Sequence, residues 1–364
     1  MSPEVLPDLP RDLPRLVVAE RVIDKIVQGA LRYPEPETGE AMVGLVVSQP
    51  GRLEPDVYIL ETISPGPDAV REWGRFEQGD DWQGDVFHWW YVNWEAFREL
   101  RRPSYGSALA AKWDMPLRHV GDWHKQPGDM VAPSAGDART ARAMIADKET
   151  PVELVVAPIV TMYPLPADES DADESTGVPA EENALALAPQ TIVRRCEEEG
   201  WLVRIDFWYM SKRAPRFIAV APTVWQDDRL PSLPPLAWHL AHPRRFEQEY
   251  DLLHEAGYQV DVVRWDADGR PPYEICFSVY KEGAEQVVLL VTSIDYPNTM
   301  PAVRLAPLVR VEEGEDLFEK LYAASQPLLA TQMPQWVWDS KRTLIELVWH
   351  VEKLAPAVRQ GDTP

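Results

Sequence analysis

Val18, Val22, Ile26, Val27 and Ala30 recur at helical spacing in VVAERVIDKIVQGALRY, so residues 17–33 are predicted to form an amphipathic helix. Pro34 and Pro36 end it. AMVGLVVS (41–48) and DVYILETI (56–63) are apolar runs of strand length, bridged by the turn residues of QPGRLEPD. A tryptophan-rich stretch, 81–102, is predicted to end as a helix. A strand over PLRHVGDWH, a helix over SAGDARTARAMIAD and a strand over VELVVAPIVTM follow. The acidic run ADESDADESTGVPAEEN has no core-forming pattern, which predicts a disordered surface insertion at about 166–184. TIVRRCEEEG is read as a helix, and WLVRIDFWYMS and RFIAVAPTVW as strands.

The pattern changes at SLPPLAW, where prolines mark a domain boundary. PRRFEQEYDLLHEAG is predicted to be a helix with Phe246, Tyr250 and Leu253 on one face. Three strands follow at YQVDVVRWD, YEICFSVYK and QVVLLVTSI, then a proline turn with a further extended segment, DYPNTMPAVRL. TLIELVWHVEKL closes the pattern as a helix with Leu344, Leu347, Val348 and Val351 inward. The expected organisation is a proline-rich segment (1–15), a first domain (16–230), a linker (231–242), a second domain (243–356) and a tail (357–364). No internal repeat is visible.

With 364 residues, the chain is long enough for two domains with separate cores. The net charge of −23 argues against a sequence-independent nucleic-acid binder and against docking on an anionic membrane. Two distant cysteines, Cys196 and Cys276, make no disulfide framework and fit a reducing cytoplasm. The start lacks the apolar core of a signal peptide, and no apolar run reaches membrane-helix length. A cytoplasmic protein is expected.

Candidate chemistry concentrates in GDWHKQPGD (121–129). In a strand, His124 and Gln126 point to one face and could grip one ion. Asp122 shares that face, whereas His119, five positions from His124, is expected to face the other way. Ser134 and Asp137 form an S-x-x-D arrangement, which a helix cap explains without any catalysis. The joint spacing says more. His-x-Gln-Pro, seven residues from Gln126 to Ser134, and two more to Asp137 resemble the signature of the JAB/MPN (JAMM) metallopeptidases. Upstream, PEPETGEAMVG supplies Glu37, Thr38, Gly39 and Gly44 in that family's glutamate-bearing strand entry, and ISPGPDAVREWGRFEQ is similar to a Pro-Gly-Pro segment of its bacterial members.

The resemblance covers about 16–225 and implies a mixed α/β, cytidine-deaminase-like sheet flanked by helices. It implies Zn2+ held by His124 and Asp137, Glu37 as general base and proton donor, and Ser134 supporting the oxyanion. The reaction would be isopeptide or amide hydrolysis on a ubiquitin-like tail. Gln126 departs from the family by standing where a second histidine ligand belongs. A neutral amide is the poorer zinc donor, so weak occupancy and low or absent activity are expected.

The second domain resembles the ubiquitin-conjugating-enzyme/RWD-like fold, an α+β domain on an antiparallel sheet. RRFEQEYDLL, DYPNTMPAVRL and W-x-W-D-x-x-x-x-L (336–344) carry the likeness. No cysteine follows Cys276, which reads as a buried strand residue, so no thioester carrier is expected there. Two functions follow: a zinc isopeptidase in a bacterial ubiquitin-like pathway, or a catalytically silent scaffold that binds ubiquitin-like proteins or conjugation enzymes. An acidic nucleic-acid mimic is a distant third.

Overall fold

The computed structural model describes residues 13–66, 68–79, 81–95, 113–148, 152–165, 188–265, 274–333 and 336–361. The proline-rich start up to residue 12, the acidic stretch at 166–184 and the end of the tryptophan-rich stretch lie outside them. The chain is mixed α/β and divides into two units, 1–233 and 234–364. Among the described residues no helix is long and apolar enough to cross a membrane.

The first unit is built on one nine-stranded sheet. Its central strands are β2 (Thr38–Val47), β3 (Asp56–Ile63), β6 (Arg118–Lys125), β7 (Leu154–Pro164) and β9 (Trp201–Ser211). A two-residue β10 (Ile218–Ala219) pairs with β9, and β1 (Arg15–Ala19) pairs in parallel with both β3 and β11 (Pro222–Trp225). This corrects the expected helix from residue 17. Leu16–Ala19 form a buried strand because the run is apolar on both faces, and only from Glu20 does the helical period govern. Helix α1 (Glu20–Arg32) then buries Val22, Ile23, Ile26, Val27 and Ala30.

The predicted helix at TIVRRCEEEG is likewise overturned. Thr191–Cys196 form β8, antiparallel to β9, where β-branched Thr191, Ile192 and Val193 outweigh the glutamates that follow. Helical residues 82–95 (α2) bury Trp89 and Trp94, and α3 (Ala135–Ala146) sets Ala141 and Ile145 against Val155 and Met210. A small hairpin, β4 (Val70–Glu72) with β5 (Arg75–Glu77), forms a separate two-stranded sheet that the sequence pattern did not predict.

The second unit has a five-stranded antiparallel sheet, β12 (Gln259–Trp265), β13 (Glu274–Tyr280), β14 (Gln286–Thr292), β15 (Ala302–Pro307) and β16 (Gln326–Leu328), in sequence order. Short helix α4 (Trp238–Ala241) lies in the stretch read as a linker, yet Trp238 is buried in this unit's core. Its ring packs on Phe246, Phe277 and Tyr296, and its Nε1 donates to Thr292. α5 (Pro243–Glu255) buries Glu249 and Leu253, whereas Tyr250, expected inward, is 37% exposed. The carboxylate can be buried because every lobe has a donor: Arg245, the Tyr296 hydroxyl and the Leu344 N–H at the start of the last helix. α6 (Leu317–Ala324) covers the other sheet face with Phe318 and Leu321. α7 (Leu344–Gly361) buries Leu344, Leu347, Val348 and Val351 as expected, and extends to Gly361, into the stretch from 357 read as a tail.

Candidate functional site

β2 and β6 run antiparallel with Gly39 opposite His124, so the entry of β2 lies against the end of β6. Only glycine fits at 39: a Cβ there would stand 2.3 Å from the Trp123 carbonyl oxygen and 3.0 Å from the His124 Cβ. Glu37 precedes it, held by its N–H donating to the Glu72 carbonyl of the β4–β5 hairpin at 3.0 Å. Arg71 of the same hairpin donates to Thr38 and lies over the Tyr33 ring.

Beyond β6, the Gln126 N–H continues the pairing with β7 by donating to the Val160 carbonyl at 3.0 Å. The chain then turns at Pro127 and Gly128 and enters α3 at Ser134. Ser134 and Asp137 form the reciprocal cap expected from S-x-x-D: the Asp137 N–H donates to Ser134 Oγ, and the Ser134 N–H to Asp137 Oδ2 at 2.6 Å. The cap fixes the rotamer of Asp137, whose Oδ2 lies 3.6 Å from His124 Nε2.

His124, Gln126, Ser134 and Asp137 are therefore brought together, and Glu37 lies close enough to feel the charges of His124 and Asp137. Burial raises the Glu37 carboxyl above its ordinary value; His124 opposes that, Asp137 adds to it and Lys125 opposes it. Burial would raise Asp137 too. The neighbouring His124 ring and the Ser134 cap outweigh burial and hold Asp137 at about 2.

Gln126 occupies the middle of this group. Its Nε2 is 3.1 Å from His124 Nε2 and 3.2 Å from Asp137 Oδ2, and the side chain is 5% exposed. An amide nitrogen only donates, so it bonds His124 Nε2 when that atom carries no proton, whereas the protonated ring faces the Asp137 carboxylate instead. Gln126 Oε1 is buried without a hydrogen-bond partner. Exchanging the amide's oxygen and nitrogen would set two acceptors, Oε1 and the Asp137 carboxylate, against each other.

A catalytic zinc takes three protein donors of imidazole, thiolate or carboxylate type and keeps one position for water. This cluster offers two, and the third position turns an N–H towards the other two. Among the described residues no group of three or more His, Cys, Asp or Glu could hold a metal ion. The donor set is one short of a catalytic zinc site.

His119 differs from expectation. β6 carries a bulge at Gly121, whose φ is +130° and whose Cβ, if present, would stand 2.0 Å from the Val156 oxygen. The extra residue resets the alternation, so His119 lies beside Asp122 with Nε2 3.1 Å from Oδ1. Gln78 Nε2 donates to the same oxygen at 2.7 Å. Burial would raise Asp122, but the charge and hydrogen bond of His119 and the Gln78 amide lower it. Nothing in the sequence pattern singled out Gln78. A glycine inside a strand was the available signal for His119.

No family model matches the chain, and no curated protein matches it. Among solved structures, it is similar to the solution structure of protein DSY2949 from Desulfitobacterium hafniense, at 10% identity and a TM-score of 0.27. That match covers 58% of this chain and 93% of the other. At this score the likeness carries no argument.

Proposed function

We propose that the first unit is a JAB/MPN-like domain whose metal position is closed by Gln126, and that the chain is a catalytically silent scaffold for a ubiquitin-like protein or its conjugation enzymes. One observation carries this reading: the Gln126 amide nitrogen lies 3.1 and 3.2 Å from the two side chains that would hold the metal. It supplies by hydrogen bonding the bridge between His124 and Asp137 that an ion would supply by ligation. The second unit is proposed to be a UBC/RWD-like docking module. Cys276, its one cysteine, is buried, and burial raises its thiol far above the ordinary value, which is unsuited to carrying a thioester.

A second reading, a weak zinc-dependent isopeptidase, is favoured by Glu37. A carboxyl raised by burial and lying near the cluster is suited to shuttling a proton between water and a leaving amine. The test is a cleavage and binding assay with a ubiquitin-like protein carrying a C-terminal extension. The scaffold reading expects saturable binding and an intact extension with or without added Zn2+. Zinc-stimulated cleavage that Glu37→Gln abolishes would overturn it in favour of the second reading.

A further inference from the structure

On the opposite face of β2 from His124, a cavity of about 240 Å³ opens between α1, the end of β3 and the β4–β5 hairpin. Lys25, Arg32 and Arg71 line it, with Thr38, Thr62 and Ser64 supplying hydroxyls. We infer that this cavity binds a small oxyanion of the phosphate class, independently of how the His124 cluster is read.

Charge comes first. On a chain of net charge −23, three cations around one small cavity are a local reversal of sign. Screening confines each charge's reach to about 10 Å at 0.1 M salt, so the lining rather than the distant acidic surface sets the field there. Two carboxylates bear on this field: Glu40 lines the cavity and keeps its charge, and Glu61 is ion-paired. Glu40 accepts from Ser64 and from the Trp123 indole, and Glu61 pairs with Lys25 at 2.8 Å and with Arg21. Lys25 is therefore partly neutralised. Arg32 has no ion pair or hydrogen bond with any described residue, and Arg71 spends only its Nε on Thr38, leaving the terminal nitrogens of its guanidinium for a ligand.

The negative end of α1 would repel an anion if left unopposed. Lys125 Nζ places a cation just past that end, donating to the Tyr33 and Pro34 carbonyls. The polar lining then has one unfilled member. Thr62 is 5% exposed, and its Oγ1 is buried without a hydrogen-bond partner. A buried hydroxyl left unpaired costs on the order of 1–3 kcal/mol. With a turn of the Thr62 side chain, that hydroxyl would donate to an oxyanion oxygen while the guanidinium groups neutralise the charge. A phosphate fits the available volume with room for a bridging water or a small substituent.

The test is calorimetric titration of the full chain with inorganic phosphate at low ionic strength. Thr62→Val keeps the side-chain shape and removes only the hydroxyl, and Arg32→Gln changes an exposed side chain that the fold does not use. Saturable binding, weakened about tenfold by each substitution, is expected, the size of one charge-assisted or buried hydrogen bond. No saturable binding to the unmodified chain would overturn the inference. So would binding that either substitution leaves unchanged, because phosphate would then be held elsewhere.

Discussion

Gln126 sets one amide nitrogen between His124 and Asp137. A histidine at this position would present a lone pair beside two other negative or lone-pair donors, a set completed by a cation. The amide presents protons instead, and the set is completed from within. Asp137 reports a different part of the cluster, the charged His124 ring and the Ser134 cap. Its folded-state value of about 2 lies below the ordinary 3.8, so the unfolded chain binds more protons between those limits. The stabilisation is complete above about pH 4 and is lost as pH falls towards 2, amounting to about 2 kcal/mol. Denaturant midpoints measured from pH 5 to pH 2 are expected to fall, and Asp137→Asn is expected to flatten that part of the profile. A variant with the same slope as the unmodified chain would remove Asp137 as its source.

At the scale of elements, the site depends on two glycines in strands. Gly39 lets β2 close on His124, and Gly121 bulges β6 so that His119 reaches Asp122. Gly121→Ala would need a positive φ and would drive a Cβ into the Val156 carbonyl. It is expected to lower stability by about 2 kcal/mol or more and to separate His119 from Asp122. A melting temperature unchanged by Gly121→Ala would contradict the bulge. The sequence disclosed the elements whose period is local, such as α1 after Glu20, the capped start of α3 and the buried runs of β3, β7 and β13. It also disclosed the spacing that gathers His124, Gln126, Ser134 and Asp137. It did not disclose β1 or β8, because pairing with strands distant in sequence decided them against local helical signals. The face of His119 was hidden for a similar reason: a bulge changes parity without changing composition. The orientation of the Gln126 amide could come only from the geometry around it.

At the scale of the whole molecule, two units rest on different central devices. In the second, Glu249 is fully buried and ties α5 to α7 through the Leu344 N–H, and to the loop after β14 through Tyr296. Glu249→Ala leaves Arg245 and the Tyr296 hydroxyl without their acceptor and is expected to cost about 3 kcal/mol or more. A thermal melt of the 234–364 unit would show it, and a loss within error of zero would count against that role. The first unit brings His124, Ser134 and Asp137 together around the Gln126 amide. The most direct measurement is zinc content after dialysis against Zn2+, for the chain and for Gln126→His side by side. Far less than one equivalent is expected in the chain and about one in Gln126→His, where a third donor completes the set. One equivalent of zinc in the unmodified chain, lost on His124→Ala, would contradict that expectation.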